Sequence, residues 1–399
     1  MTTPQHVFLN AASAYSALGL DAASMRTHLL AATDPQTLQW SDRYSPGRVL
    51  PLGLLPEGTV LPAIGFAPAH QRSRNNALAW GAMQALKGLV DEAIAEWGPA
   101  RVALVVGTST GGMDEGEAAA RHLCSAGRFP AGFAYPVQEM GNVAEFLSQH
   151  LGISGPSHTI STACSSGAKA LASAARLLQA GMADVVVAGG VDALGRFTVG
   201  GFSALDAVSS ARCNPLSANR NGINLGEAAA FFVVSRQPGP VRLAGWGETQ
   251  DAHHMSAPDP SGQGAIVAMQ QALLRAGMAP SAVDYVNLHG TATQHNDAME
   301  SRAVQAVFNE GVAVSSTKPL TGHALAAAGA LEAAIAWHVL QDNPNGVLPV
   351  HWWDAAADPG MPVLHTVKPG TQLGRAARAA MSNSFAFGGS NSTLLFEAA

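Results

Sequence analysis

Ser161-Thr162-Ala163-Cys164-Ser165-Ser166-Gly167-Ala168 is the stretch from which the chain is best read. It has the form of a strand end breaking sharply into a helix. Downstream, Ala168, Leu171, Ala172, Ala175 and Leu178 recur at helical spacing on one face. Gly181 then stands where a C-terminal glycine stops a helix. Ser165, Ser166 and Gly167 are small enough for a tight turn, so Cys164 falls at or just inside the helix N-terminus. Unpaired backbone N–H groups and the positive end of the macrodipole favour an anion there. A thiol in that place is expected to have a lowered pKa and to act as a nucleophile at neutral pH. The competing reading is a small buried core cysteine, and this stretch alone does not separate the two.

Outward from it, buried strands alternate with helices. Strands are expected at 6–10, 101–106, 157–161, 183–188 and 227–235, with helices at 21–31, 73–96 (broken near Gly88), 141–150 and 168–180. Asp21 is a candidate N-cap. Residues 34–66 and 196–225 read as irregular. From 241 a second series begins, with strands at 241–246, 283–288, 312–315, 363–365, 379–383 and 392–396 and helices at 264–277, 297–308 and 324–340. The two series echo each other in pattern, which suggests two similar βαβ-type units, 1–242 and 243–399, in an α/β fold. The loop Gly107-Thr-Ser-Thr-Gly-Gly112 follows a strand but lacks the Lys-Ser/Thr of a P-loop and the full GxGxxG spacing. It reads as support for the Cys164 region.

The 399 residues are 47% hydrophobic and 13% charged, with 42 glycines, which suits a large, closely packed core. A net charge of −6 argues against non-specific nucleic-acid binding. The three cysteines, at 124, 164 and 213, form no CxxC, which argues against a disulfide framework or a cysteine metal site and fits a reducing compartment. The N-terminus has no basic region before an apolar run, and no apolar run reaches the roughly 18 residues of a membrane span. A cytoplasmic protein is expected.

Cys164 needs a partner. His289, in Asn-Leu-His-Gly-Thr-Ala-Thr, and His323, in Lys318-Pro-Leu-Thr-Gly-His323, both lie in turns rich in Gly and Thr. Lys318 is either a surface lysine or a buried ammonium that tunes a nearby histidine or thiol. Glu332 falls in the alanine-rich helix after His323, where it is either exposed on a polar edge or paired with Lys318. Phe387, in Asn383-Ser-Phe-Ala-Phe-Gly-Gly389, is either a lid or core.

Taken in order, Thr-Ala-Cys164-Ser-Ser-Gly, Gly189-Gly190, Asp251-Ala-His-His-Met255, His289-Gly-Thr-Ala-Thr293, Lys318-Pro-Leu-Thr-Gly-His323, Glu332 and Asn383-Ser-Phe-Ala-Phe-Gly-Gly389 cover nearly the whole chain. The chain resembles the β-ketoacyl-acyl-carrier-protein synthases, Cys-His-His condensing enzymes of the thiolase superfamily. The resemblance implies a five-layer αβαβα fold, a homodimer, and a decarboxylative Claisen condensation that extends an acyl chain by two carbons. It implies that Cys164 carries the acyl group and that His289 and His323 promote decarboxylation of the malonyl thioester. Lys318 and Glu332 become a supporting ion pair. The backbone N–H groups of Cys164 and Phe387 become the oxyanion hole, with Phe387 also the gate. No metal or resident cofactor is implied, because phosphopantetheine arrives on the acyl carrier protein.

The chain departs from the family in three places. Ser217, Asn219 and Asn221 stand in a stretch usually richer in acids, Ala386 replaces a glycine before the gate, and Asp206 sits where a base is expected. Arg72, Arg74 and Arg128 are the candidates for docking the acidic carrier. The lack of any cysteine beyond Cys213 disfavours a thiolase, and His323 disfavours a Cys-His-Asn enzyme. A non-catalytic or heterodimeric chain-length-factor-like partner is the alternative, disfavoured by Cys164. The departures favour a specialised polyene or polyketide pathway, such as aryl polyene synthesis, over housekeeping fatty-acid elongation.

Overall fold

The strand that opens the fold, β1 (Phe8–Tyr15), runs further than the sequence pattern suggests and is followed by α1 (Ala22–Leu29). Asp21 caps α1 by accepting the Ser24 N–H at 2.8 Å. These and all following positions come from a computed structural model that describes residues 6–399. Met1–Gln5, on which the expectation about a leader partly rests, lie outside the described residues.

Two short strands, β2 (Gln39–Ser41) and β3 (Leu50–Leu52), pair inside the stretch expected to be irregular. The helix expected over 73–96 is two, α2 (Arg74–Met83) and α3 (Lys87–Trp97), and the break precedes Gly88. There follow β4 (Val102–Gly107), α4 (Met113–Ala126), α5 (Asn142–Leu151), β5 (Ser157–Ile160), α6 (Ser166–Gln179), β6 (Val185–Asp192), α7 (Arg196–Ala204) and β7 (Ala228–Ser235). Helices α4 and α7 were not legible. In α4 only Gly116 and Ala119 are buried, and α7 carries Gly200 and Gly201 and buries only Val199. The second series is β8 (Val241–Gln250), α8 (Gln263–Ala276), β9 (Tyr285–Asn287), α9 (Gln294–Val307), β10 (Ala313–Ser315), the single turn α10 (Lys318–Thr321), α11 (Ala328–Leu340), β11 (His365–Thr366), β12 (Ala379–Ala386) and β13 (Ser390–Ala398).

Among the described residues, all strands but β2 and β3 join in the order β11-β10-β9-β12-β13-β8-β1-β7-β6-β4-β5. Strands β8 and β1 meet only at Phe8↔Arg242 and Leu9↔Val241, so the sheet is two sheets joined at a seam. In order of appearance, β1, β4, β5, β6 and β7 lie in the order first, fifth, fourth, second, third. Strands β8, β9, β10, β12 and β13 repeat that order. The directions repeat too: β1–β7 and β6–β7 are antiparallel and β4–β6 and β4–β5 parallel, matched by β8–β13, β12–β13, β9–β12 and β9–β10.

Alternation along the strands sorts the layers. Val102, Leu104 and Val106 face α2, α3 and α5, while Ala103 and Val105 face the central helices α6 and α11. On the other sheet Val286 and Met381 face α8 and α9, and Tyr285 and Ala380 face the centre. This is the five-layer αβαβα thiolase-like fold.

Helices α6 and α11 approach backbone to backbone. A Cβ on Gly167 would lie 2.8 Å from the Ala326 carbonyl oxygen, and one on Gly329 would lie 2.8 Å from the Ala168 nitrogen. Both distances are too short for any side chain, so glycine is required where the two halves are in closest register. Among the described residues no helix is long and apolar enough to cross a membrane.

Candidate active site

Cys164 sits in the elbow between β5 and α6, two residues before the helix begins. Ala163, just before it, takes φ of +50°, a left-handed conformation costing on the order of 1 kcal/mol for a residue with a Cβ. Hydroxyls hold the elbow in that shape. Ser166 Oγ accepts the Thr162 N–H at 2.8 Å and donates to the Ala163 carbonyl at 2.6 Å. Ser165 Oγ donates to the Thr162 carbonyl at 2.8 Å.

The second half supplies the partners. His323 follows the α10 turn, and its Nε2 lies 2.9 Å from Cys164 Sγ. Its backbone N–H donates to the Asn224 carbonyl at 2.6 Å. His289 follows β9 and meets His323 edge to face, with ring centroids 5.3 Å apart. Lys318 and Glu332, 1% and 3% exposed, form a buried ion pair at 2.5 Å. The Lys318 ammonium also donates to the His289 carbonyl, so the pair tethers the His289 loop. Of the two readings for each residue, the buried ones hold.

These groups lie in a 490 Å³ pocket lined by Cys164, His289, His323, Phe385 and Phe387, among others. Phe387 is at the mouth, 38% exposed and 5.8 Å from Phe202 between ring centroids. Gly388, with φ of +80°, bends the turn behind it and donates its N–H to the Met255 carbonyl. The Asp251–Met255 segment therefore braces this turn.

The electrostatics correct one expectation. Burial pushes the Cys164 thiol up to about 12, against the pull of the Lys318 ammonium, rather than down. Burial and then Lys318 hold His323 well below the ordinary histidine value, and the same causes with His323 hold His289 there. The resting site is therefore a neutral thiol beside neutral imidazoles. The helix N-terminus is present, but removal from water outweighs it.

Alkylation of Cys164 by iodoacetamide should accordingly rise about tenfold per pH unit from pH 7 to 10, following the thiolate fraction. Peptide mass spectrometry measures it, and a plateau below pH 8 would instead reveal a preformed thiolate–imidazolium pair. The sulfur and ring nitrogens of Cys164, His289 and His323 lie within 4.8 Å of one another, a donor set that suits a soft cation. The nearby Lys318 ammonium opposes a cation there.

Two positioning acids escaped the sequence reading. Glu300, on α9, accepts the His289 and Gly290 N–H groups at 2.8 and 2.7 Å, and burial pushes it up to about 7. Asp192, at the end of β6, accepts from Thr108, Ser109, Thr110 and the Ala326 N–H. The 107–112 loop thus braces the segment after His323 through Asp192 and also abuts the start of α6 at Gly167. An acid eleven residues past a turn histidine, on a helix, was the available signal for Glu300.

The acid-poor loop finds its acids elsewhere. Ser217 and Asn219 donate to Asp354 at 2.8 Å, and Arg220 pairs with Asp358 at 2.6 Å. Burial would raise Asp354, but these hydrogen bonds and those of Ala356 and Asn214 outweigh it and bring it to about 2. Asn221 accepts from Ser209 at 2.7 Å. Asp206 is exposed and lines the pocket.

Among the docking arginines, Arg74 is corrected. It forms a two-pronged pair with buried Glu227, at 2.6 and 3.1 Å, and so is committed inward. Arg72 holds the Ala67 and Gly65 carbonyls but remains exposed, as does Arg128.

Residues 75–238 match the profile of the beta-ketoacyl synthase N-terminal domain, and residues 241–349 that of the C-terminal domain. The chain is 35% identical over 341 residues to the mitochondrial 3-oxoacyl-[acyl-carrier-protein] synthase of Arabidopsis thaliana, covering 77% of this chain and 72% of that one. It is 34% identical over 316 residues to 3-oxoacyl-[acyl-carrier-protein] synthase 2 of Staphylococcus aureus (strain COL), covering 74% and 75%. It superimposes, with a TM-score of 0.92 and 37% identity over the full length of both chains, on a chain of the complex of the ketosynthase ApeO with its chain length factor ApeC from Xenorhabdus doucetiae.

Proposed function

The chain belongs to the β-ketoacyl synthase family, and from that premise we propose how this condensing acyltransferase divides its chemistry among its own residues. The observation that carries the reading is the 2.9 Å contact between Cys164 Sγ and His323 Nε2 at a pocket that also holds His289. In the first half-reaction the thiol proton passes to His323 as sulfur attacks the thioester of an acyl carrier protein. The carrier thiol leaves with a proton and the acyl group stays on Cys164. In the second, a malonyl thioester loses carbon dioxide. His289, neutral, donates an N–H to the enolate oxygen. His323 joins it once acylation has removed the thiol and its ring carries its one proton on Nε2, and the carbanion attacks the acyl-Cys164 carbonyl. The backbone N–H groups of Cys164 and Phe387 serve as oxyanion donors, each worth roughly 3 kcal/mol of barrier. Sulfur then departs and regains a proton, and the product is a β-ketoacyl thioester two carbons longer.

No resident cofactor enters this scheme, because the phosphopantetheine arm comes with the carrier. The exposed arginines Arg72 and Arg128 are its proposed docking points. The full-length likeness to one chain of the ApeO–ApeC complex, a ketosynthase with its chain length factor, supports a specialised polyene or polyketide role and a chain-length factor as partner subunit, ahead of a homodimer.

The test is intact-protein mass spectrometry after mixing the chain with a panel of acyl carrier proteins, then with malonyl carrier protein. A mass gain on Cys164 that malonyl carrier protein discharges as the two-carbon-longer product establishes the reading. His289→Ala should slow that discharge by about 10² or more while loading falls less, whereas His323→Ala should slow both steps, since His323 also takes the thiol proton. Absence of loading with every donor, with a chain length factor present, overturns it.

A further inference from the structure

Lys169, on the second turn of α6, has no role in this scheme, and among the described residues no carboxylate pairs with it. It is half-buried, and burial, then Arg176, holds its ammonium below the ordinary lysine value. Its Nζ donates to Ser390 Oγ at 2.6 Å. Ser390 Oγ lies 2.9 Å from Ser165 Oγ, and Ser165 Oγ donates to the Thr162 carbonyl at 2.8 Å.

An ammonium has donors only. Ser390 must therefore accept from Lys169, and at the other end the Thr162 carbonyl can only accept, so Ser165 gives it its one proton and takes the Ser390 proton in turn. Thr162 Oγ1, 3.0 Å from Ser165 Oγ, makes a further contact there. The ammonium at one end and the carbonyl at the other together fix the direction of the row. The row begins on the helix, passes through the first residue of β13, directly after the Phe387-Gly388-Gly389 turn, and ends in the strained elbow that carries Cys164.

Resting on the ketosynthase reading, we propose that Lys169 is a positioning residue that locks the Phe387 turn to the Cys164 elbow through Ser390 and Ser165. The turn and the nucleophile then move as one unit. Acyl transfer needs both aligned, because of the two oxyanion N–H groups one belongs to Cys164 in the elbow and the other to Phe387 in the turn.

The test compares Lys169→Met, Ser390→Ala, their double variant and Lys169→Arg with the wild type. Two rates are read at one pH: acyl loading of Cys164 from acyl carrier protein, and its alkylation by iodoacetamide. Lys169→Met should slow loading about tenfold, the scale of one lost hydrogen bond to a charged group. The same variant should speed alkylation about fivefold, since a released turn opens the pocket while alkylation needs no aligned donors. Ser390→Ala should match it and the double variant should be no worse, because both cut the same row. Lys169→Arg, which keeps the charge, should stay within about threefold of the wild type on both. Unchanged rates in Lys169→Met, or single losses that multiply in the double variant, overturn the proposal. Alkylation requires no acyl donor, so it tests the row even in a protein that loads no acyl group, a result that would count against the ketosynthase reading instead.

Discussion

Cys164→Ala should lower acyl transfer by about 10⁴ or more, the scale seen when a covalent nucleophile is deleted. Nothing else in the pocket can take its place. His323 and His289 are neutral and held by burial, Lys318 is bound to Glu332 and the His289 carbonyl, and Cys213 is buried away from the pocket lining. The fold should tolerate the change, since Cys164 is a neutral thiol in the resting protein and its only side-chain hydrogen bond among the described residues is to His323. Intact mass after incubation with acyl carrier protein reads the loss, and a variant that still accumulates an acylated form would remove Cys164 from the mechanism. Because the imidazoles are left in place, any residual consumption of malonyl thioester in this variant measures decarboxylation uncoupled from condensation.

Lys318→Met should be the most damaging change to stability, at about 3–5 kcal/mol, because it leaves one partner of a buried ion pair alone. The loss has a sign in pH. Burial already raises Glu332 from 4.5 to about 7, with Lys318 pulling the other way. A carboxyl whose folded pKa lies above its unfolded value stabilises the fold at low pH, and that contribution is lost as pH rises to the folded pKa. Removing Lys318 pushes the folded pKa higher still, so the damage should be greater at pH 8 than at pH 6. Urea unfolding at both pH values measures it, and an equal or smaller loss at pH 8 contradicts the assignment. Adding Glu332→Met should restore much of the stability at pH 8, since a buried pair can be replaced by apolar groups of similar volume. Catalysis should not return with it. Lys318 lowers both catalytic histidines, so without it they titrate nearer the ordinary value and the acid limb of the rate profile moves toward neutrality.

The parts of the site that follow from local pattern were legible in the sequence. The elbow at Cys164, the turn histidines and Lys318 with Glu332 stood out as candidates from short stretches, but those stretches left a plain structural reading open for each, and the ordered motifs of the family resemblance chose between them. What failed was whatever depends on the other half of the chain. The thiol's pKa moves up rather than down because the His323 segment closes over the elbow, 159 residues away in sequence. Arg74 looked free until Glu227, 153 residues on, was found holding it. Asp192 and Glu300 read as ordinary acids because their partners are backbone N–H groups, which leave no mark on composition. Helices α4 and α7 were missed because neither buries a regular apolar stripe.

The close approach of Gly167 and Gly329 has a consequence for how such a protein can diversify. The separation between the thiol-bearing helix and the helix after His323 is set by backbone atoms and the Cβ atoms of Ala168 and Ala330, with no long side chain among the nearest atoms. No rotamer change can lengthen it, and no substitution in the pocket wall reaches it. Phe202, Leu205 and Phe387, which shape the space an acyl chain would enter, stand apart from that contact. Chain selectivity can therefore drift over generations, one wall residue at a time, without touching the spacing on which bond formation depends. The fold keeps its reaction constant and leaves its product open to selection.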